Sequence, residues 1–230
     1  MTTSLWARAL ASLPDNDQLL LNKAAAPSLP TEQILTEILT EIDVQRDRCQ
    51  RDRRKTPSVG GKQLVIRDVC AKIAACVNTF VEIVDVVVSF DPVHAALPWA
   101  AVRLVLKLGL AGLKTFDAIV EGLHMAVKLI ARGEILEALY IGKMSGPGSS
   151  AISALGEELF KGYKTVLGFL VAAKRFPQRS RIWRAVNIPA REALPKYVEE
   201  MKHAEVEFLN GNQLAESQSQ VIALTPQNHF

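Results

Sequence analysis

Residues 151–176 read Ala-Ile-Ser-Ala-Leu-Gly-Glu-Glu-Leu-Phe-Lys-Gly-Tyr-Lys-Thr-Val-Leu-Gly-Phe-Leu-Val-Ala-Ala-Lys-Arg-Phe. Leu155, Leu159, Tyr163, Val166, Leu170 and Ala173 recur every three or four residues, the period of one helix face. The polar residues between them never alternate singly with apolar ones, as they would in a half-buried strand. The stretch predicts a long helix with a continuous apolar stripe. Such a stripe is stable only against other helices that bury it.

The same period holds upstream. From Gln63 to Phe90, Val65, Val69, Ile73, Cys76, Phe80, Val84 and Val87 form a second stripe. The Val-rich end, Val84 to Val88, would also suit a strand. Asp91-Pro92 restarts a helix, with Asp as N-cap and Pro at the first helical position. That helix carries Pro98 in its first two turns and Gly109 and Gly112 near its end. Further helices are predicted over about 115–131 and 133–143. Ser145-Gly-Pro-Gly-Ser-Ser150 is the clearest break.

Outward from this centre, Thr31 caps a helix with Ile34, Leu35, Ile38, Leu39 and Ile42 on one stripe. Residues 56–61 read as a loop, and residues 14–30, with three Pro and two Asp, as a connection. Residues 3–13 form a short amphipathic helix with Leu5, Trp6, Ala9, Leu10 and Leu13 on one face. A basic loop over 177–184 leads to a last helix, 189–209. The Gln-, Ser- and Asn-rich residues 210–230 read as a flexible, disordered polar tail. The expectation is an all-α bundle of about six to eight helices. An N-terminal arm occupies 1–30, the bundle 31–209 and the tail 210–230, with Trp99 in the core.

Composition excludes several classes. The 230 residues are 49% hydrophobic and 22% charged, which rules out whole-chain disorder. The net charge of +3 does not mark a nucleic-acid binder, and no groove-reading motif occurs. Cys49, Cys70 and Cys76 cannot all pair within the chain and lack metal spacing, so reduced thiols in an intracellular protein are expected. The N-terminus has neither a basic n-region nor a long apolar h-region. The apolar stretches 69–90 and 95–113 carry Lys72, Glu82 and Asp85, and Arg103 and Lys107. Each such charge costs ~2.5–3.5 kcal/mol near a bilayer centre, so both stretches read as buried bundle helices.

No catalytic constellation emerges. Ser145–Ser150 has glycines but neither a following Lys-Ser/Thr nor a preceding strand, so it is not a phosphate loop. No Gly-x-Ser-x-Gly occurs. Glu121-Gly-Leu-His124 and Glu200-Met-Lys-His203 have the i,i+3 spacing of carboxylate-bridged metal bundles. Asp117, Glu121, His124 and Lys128, however, lie on a polar stripe opposite Ile119, Leu123, Val127 and Ile130. His203 is flanked by Lys202, Glu205 and Glu207. No cofactor, metal or catalytic residue is expected.

Two basic clusters stand out. Residues 46–55 hold six Lys/Arg against two Asp. Residues 174–184 hold Lys174, Arg175, Arg179, Arg181 and Arg184 and no acid, with Phe176, Ile182 and Trp183 between. Each basic residue near an anionic leaflet contributes roughly 1 kcal/mol, and Trp favours the headgroup zone. Together with Leu5, Trp6 and Leu10 of the first helix, this cluster is the candidate membrane or partner surface.

Ser4-Leu-Trp-Ala-Arg-Ala9 resembles the opening of the N-terminal domain of fungal NACHT-type STAND proteins, the fungal NLR-like receptors. Val59-Gly-Gly-Lys-Gln-Leu-Val-Ile-Arg-Asp68 with Lys72-Ile73 is similar to that domain's next segment. Asp91-Pro-Val-His-Ala-Ala-Leu-Pro-Trp-Ala-Ala-Val-Arg103 is similar to its most specific motif, and Arg132, Ile135, Glu137 and Tyr140 match a later pattern. The resemblance covers about 4–176. It implies a HeLo-like helical effector ahead of a NACHT ATPase and a repeat sensor. It also implies a part in innate immunity, heterokaryon incompatibility and programmed cell death. Such effectors oligomerise and engage membranes, so the chain would be cytoplasmic at rest and membrane-associated when activated. The expected partners are a second copy, an anionic membrane surface and a NACHT ATPase domain or NLR partner. No ATPase segment follows within the 230 residues. An excised domain or a stand-alone effector is expected, and nucleotide-driven switching is in doubt. The family offers no catalytic residues to carry over. A helical adaptor that recruits other proteins is the alternative.

The Asp91–Arg103 motif also has a packing reading. Asp91 and Pro92 start the helix, Pro98 removes one backbone bond, and Trp99 is a large apolar anchor. Arg103, one turn on, is expected to pair with Asp68, Glu82 or Asp85 of a neighbouring helix.

Overall fold

A computed structural model describes residues 4–25, 29–55, 60–86, 92–107, 116–141, 150–175 and 188–224. The described residues form eight α-helices: α1 (Leu5–Ala11), α2 (Asp15–Ala25), α3 (Thr31–Lys55), α4 (Gly60–Val86), α5 (Pro92–Lys107), α6 (Phe116–Leu136), α7 (Ser150–Arg175) and α8 (Ile188–Leu224). A π-helical turn, Glu137–Ile141, continues α6. No strand occurs among them. The all-α bundle expected from the periodicity is the fold.

Helix α7 is the packing centre. Leu155, Leu159, Tyr163, Val166 and Leu170 are buried, as the stripe requires. Leu167, Phe169 and Val171 are buried as well, so its C-terminal half is enclosed nearly all round. Helix α8 packs along one side of α7, α1 along another, and α5 and α6 complete the surround. Helices α3 and α4 form the outer layer against α5 and α6. Helix α5 is the other enclosed element, with Trp99, Ala100, Ala101, Val102, Val105 and Leu106 all buried. Its last turn is also tied to α3 by a side chain. Buried Gln45 of α3 donates to the Leu106 oxygen at 3.3 Å, and to Glu41 at 2.8 Å.

Three boundaries differ from the sequence reading. Residues 15–25 of the expected connection are helix α2. Pro14 and Pro27 flank it rather than interrupt it. The Pro14 carbonyl accepts from the Asp17 and Gln18 amides at 2.8 and 3.0 Å, opening the helix. The expected break at residue 132 is absent, and α6 runs through Gly133 to Leu136. The last helix does not stop at Leu209 but continues to Leu224, so residues 210–224 are helix rather than tail. Ala215 in that extension is fully buried. The Val87–Phe90 end, Asp91 and the Ser145–Ser149 break lie outside the described residues.

Glycines let the central helices approach closely. A Cβ on Gly133 of α6 would stand 2.5 Å from the Tyr163 ring of α7. One on Gly162 of α7 would stand 2.5 Å from the Phe208 ring of α8. Tyr163 and Phe208 meet edge to face at 6.5 Å, so the two glycine pockets feed one aromatic cluster.

Candidate functional site

The Asp91–Arg103 motif is architectural. Pro92 opens α5, and Pro98 and Trp99 are buried in it. Phe80 packs against the Trp99 ring at 5.1 Å. The Trp99 indole Nε1 donates to Glu134 Oε2 at 3.3 Å. Arg103 is 8% exposed and pairs with Glu37 of α3 at 3.0 Å. The expected partners were Asp68, Glu82 or Asp85 of α4; the partner shown is Glu37 of α3, and the Asp85 side chain lies outside those described. Lys107 reaches the same Glu37 oxygen at 3.0 Å. The Lys107 hydrogen bond, with the Arg103 charge, holds the Glu37 carboxyl below its usual range.

Glu134 is a buried carboxyl that is only partly compensated. Its Oε1 is buried without a hydrogen-bond partner. Desolvation raises its pKa well above the usual carboxyl value, only partly opposed by the Trp99 hydrogen bond. One helical turn on, Glu137 accepts from the Tyr163 hydroxyl at 3.1 Å.

The N-terminal arm, α1 with α2, lies on the bundle. Trp6 is 3% exposed and stacks on Tyr163 at 3.7 Å with 6° between planes. Leu5 and Leu10 are half-buried against the core. Arg8 makes a two-pronged contact with Glu157 at 2.8 and 2.9 Å, its guanidinium 4.1 Å from the Phe160 ring centre. The candidate membrane face of α1 is therefore turned inward.

The C-terminal end of α7 holds the arm as well. Arg175 pairs with Asp17 of α2. Lys174 donates to the Leu20 carbonyl at 3.3 Å. Burial, with Lys23 nearby, lowers the Lys174 pKa. Arg179, Arg181, Trp183 and Arg184 lie outside the described residues, so the structure brings Lys174 and Arg175 to the arm and places no other member of that cluster. In the other cluster, Arg46 pairs with Asp43 at 3.3 Å.

The two Glu-x-x-His segments do sit on adjacent helices, α6 and α8, but their carboxylates are turned to lysine. Lys202 bridges Glu121 and Glu199 at 2.9 Å each, and Lys196 lies 3.7 Å from Glu200. His203 faces Glu207 at 3.8 Å. Desolvation and the Lys72 and Lys128 charges lower the His124 pKa. Among the described residues, no three His, Cys, Asp or Glu side chains gather as a metal site would require. No described helix is long and apolar enough to cross a membrane.

One cleft of the bundle belongs to no site expected from the sequence. This cleft, of about 560 Å³, opens between α4, α6 and α8. Phe80, Ala131, Leu136 and Phe208 are its buried lining, and Lys128 and Arg132 are its cations. Glu205 Oε1 lies 2.5 Å from Lys128 and 3.0 Å from Arg132. Half-buried Cys76 faces the cleft, and desolvation raises its thiol pKa against the pull of both cations. Arg132 and Ile135 were singled out for their pattern alone. Their common cleft was not legible, because its walls come from segments more than forty residues apart.

No curated protein and no solved structure matches the chain. The profile of one family, described as "Domain of unknown function (DUF7708)", matches residues 68–223. That span is more than half of the sequence and runs from within α4 into the last turn of α8. The chain therefore belongs to the DUF7708 family.

Proposed function

We propose that the chain is a non-catalytic effector or signalling domain of a fungal NLR-like system, promoting regulated cell death by oligomerisation and membrane engagement. One observation carries the reading: the arm and the basic end of α7 cover each other. Leu5, Trp6 and Leu10 are stowed against α7 and its neighbours, and Arg175 and Lys174 are occupied by α2. Lifting the arm would expose an amphipathic helix with a Trp and free two cations in one step. That combination is what an interfacial contact with anionic lipid needs. One copy would bind weakly, because exposed charges are screened within about 8 Å at physiological salt. Several copies together would bind firmly through avidity.

The test is co-sedimentation with vesicles containing or lacking anionic lipid, at low and high salt. Binding should need anionic lipid and fall with salt. It should weaken when Lys174, Arg175, Arg179, Arg181 and Arg184 are all changed to Gln. Binding that ignores lipid charge or survives the five-fold change sinks the membrane mechanism. Viability of yeast expressing the chain reports the killing activity independently.

The adaptor reading has one observation in its favour. Helix α8 leaves Val206 and Leu214 51% and 62% exposed, apolar side chains that a partner helix could cover. Retention of killing after loss of vesicle binding would select it.

A further inference from the structure

The cleft between α4, α6 and α8 has a polarity that the effector reading does not use. Along α6, Lys128 and Arg132 stand at one end and Leu136 and Leu139 at the other. At 1.5 Å per residue, residues 128 and 139 are roughly 16 Å apart. Helix α8 follows the same order: Lys202 meets Glu121, and Glu205 meets Lys128 and Arg132. Phe208 and Leu209 then line the apolar end. Leu139 and Leu209 remain 39% and 44% exposed on its rim.

The charged end is not neutral. Lys128 and Arg132 are the charged residues of the lining, and both meet the single carboxylate of Glu205, two cations against one anion. One positive charge is in excess. Arg132 can present further N–H donors in a fixed fork, suited to a carboxylate or phosphate. The volume of about 560 Å³ falls within the ~300–1,000 Å³ of small-molecule sites, which combine an apolar lining with a few placed polar groups.

We infer that this cleft binds a single-chain amphiphile with an anionic head, the head at Lys128 and Arg132 and the chain running toward Leu139 and Leu209. A free fatty acid and a lysophosphate share that chemistry. A cationic amphiphile does not, because its head would meet the excess positive charge.

Cys76 supplies the reporter. In the full chain carrying Cys49→Ser, Cys76 is the accessible thiol, since Cys70 is 1% exposed. Its reaction rate with an aromatic disulfide is followed against dodecanoate, dodecyl phosphate, dodecyltrimethylammonium and acetate, all below micelle formation. Calorimetry gives the stoichiometry. Dodecanoate or dodecyl phosphate should slow the reaction saturably, with one molecule bound per chain. The stronger of the two identifies the head. The cationic amphiphile should bind at least tenfold more weakly, and acetate should not protect.

Two variants keep the test decisive. Lys128→Gln, Arg132→Gln and Glu205→Gln together remove the charge without orphaning a carboxylate, and should cost the anion at least fivefold in affinity. Ala75→Trp, at an exposed position lining the cleft, fills the space from the surface and should abolish binding by calorimetry. Equal binding of the cationic amphiphile overturns the proposal. So does binding unchanged by Ala75→Trp, or no saturable binding of either anion. None of these outcomes touches the arm, so the effector reading stands or falls separately.

Discussion

Trp99 and Glu134 are a single unit with opposite consequences for stability. Trp99 fills the core and donates its one N–H to a carboxylate that has no other means of staying hydrated. Trp99→Ala should cost about 3–5 kcal/mol, as loss of a large buried aromatic does, seen as a lower denaturant midpoint. Glu134→Gln should do the reverse. The folded-state pKa of Glu134 lies above the unfolded value, so the native state holds a proton that the unfolded chain releases. Stability from this group is present below the unfolded value, near pH 4.5, and is lost as pH rises toward the folded one. Gln keeps an oxygen for the Trp99 indole and carries no charge to desolvate. Melting of the Gln variant should exceed wild type at pH 8, and the gap should close toward pH 4. A gap that does not change with pH would show that Glu134 does not titrate across this range. Neither role could be read from the sequence. Glu134 and Trp99 are 35 residues apart, and nothing local marks a buried carboxylate.

At the scale of elements, glycine explains where the periodicity was read correctly and where it misled. The stripes of α3 and α7, and the described part of α4 from Val69 to Phe80, came through because their apolar residues recur without interruption. The break expected at residue 132 and the end expected at Leu209 fall beside Gly133 and Gly211, both of which lie inside helices. They mark close contacts: Tyr163 fills the space over Gly133, and Leu155 Cδ1 stands 2.9 Å from where a Gly211 Cβ would lie. Helix propensity gives Ala ~1 kcal/mol over Gly, while overpacking a filled interface costs about 1–3 kcal/mol. The second effect should win at Gly133, because Tyr163 is clamped between Trp6 and Phe208 and cannot give way cheaply. Gly133→Ala should therefore lower stability by about 1–2 kcal/mol and loosen α1, read as a raised hydrogen-exchange rate in residues 5–11. A more stable variant would mean that the ring moves freely. Helix α2 was missed for a related reason. Three prolines in seventeen residues suggested a connection, but only their positions at the helix ends mattered.

For the molecule as a whole, what matters is how firmly the arm is held. The family match begins at residue 68, yet α1 to α3 share the same core: Trp6, Leu21, Ile34, Ile38 and Ile42 are buried with it. Besides buried Ala9 and Leu21 and the Lys174 bond to Leu20, the arm is attached by the Trp6–Tyr163 stack and by two carboxylates, Glu157 to Arg8 and Asp17 to Arg175. The Arg8–Glu157 pair is exposed, and such pairs contribute about 0–1 kcal/mol, whereas Asp17 and Arg175 are part-buried. Asp17→Asn with Glu157→Gln removes both without touching the apolar face of α1 or any basic residue. The fold should survive, with melting lowered by no more than a few degrees. If the arm is the gate to the membrane, the released fraction rises several-fold and so does association with anionic vesicles at low salt. Neutral vesicles should show little change, because the freed cations gain nothing there. Equal gains on both vesicle types would mean that the apolar face of α1 acts alone. No gain on either would mean that the arm stays seated on its aromatic stack, and that the membrane reading must then rest on residues 176–187.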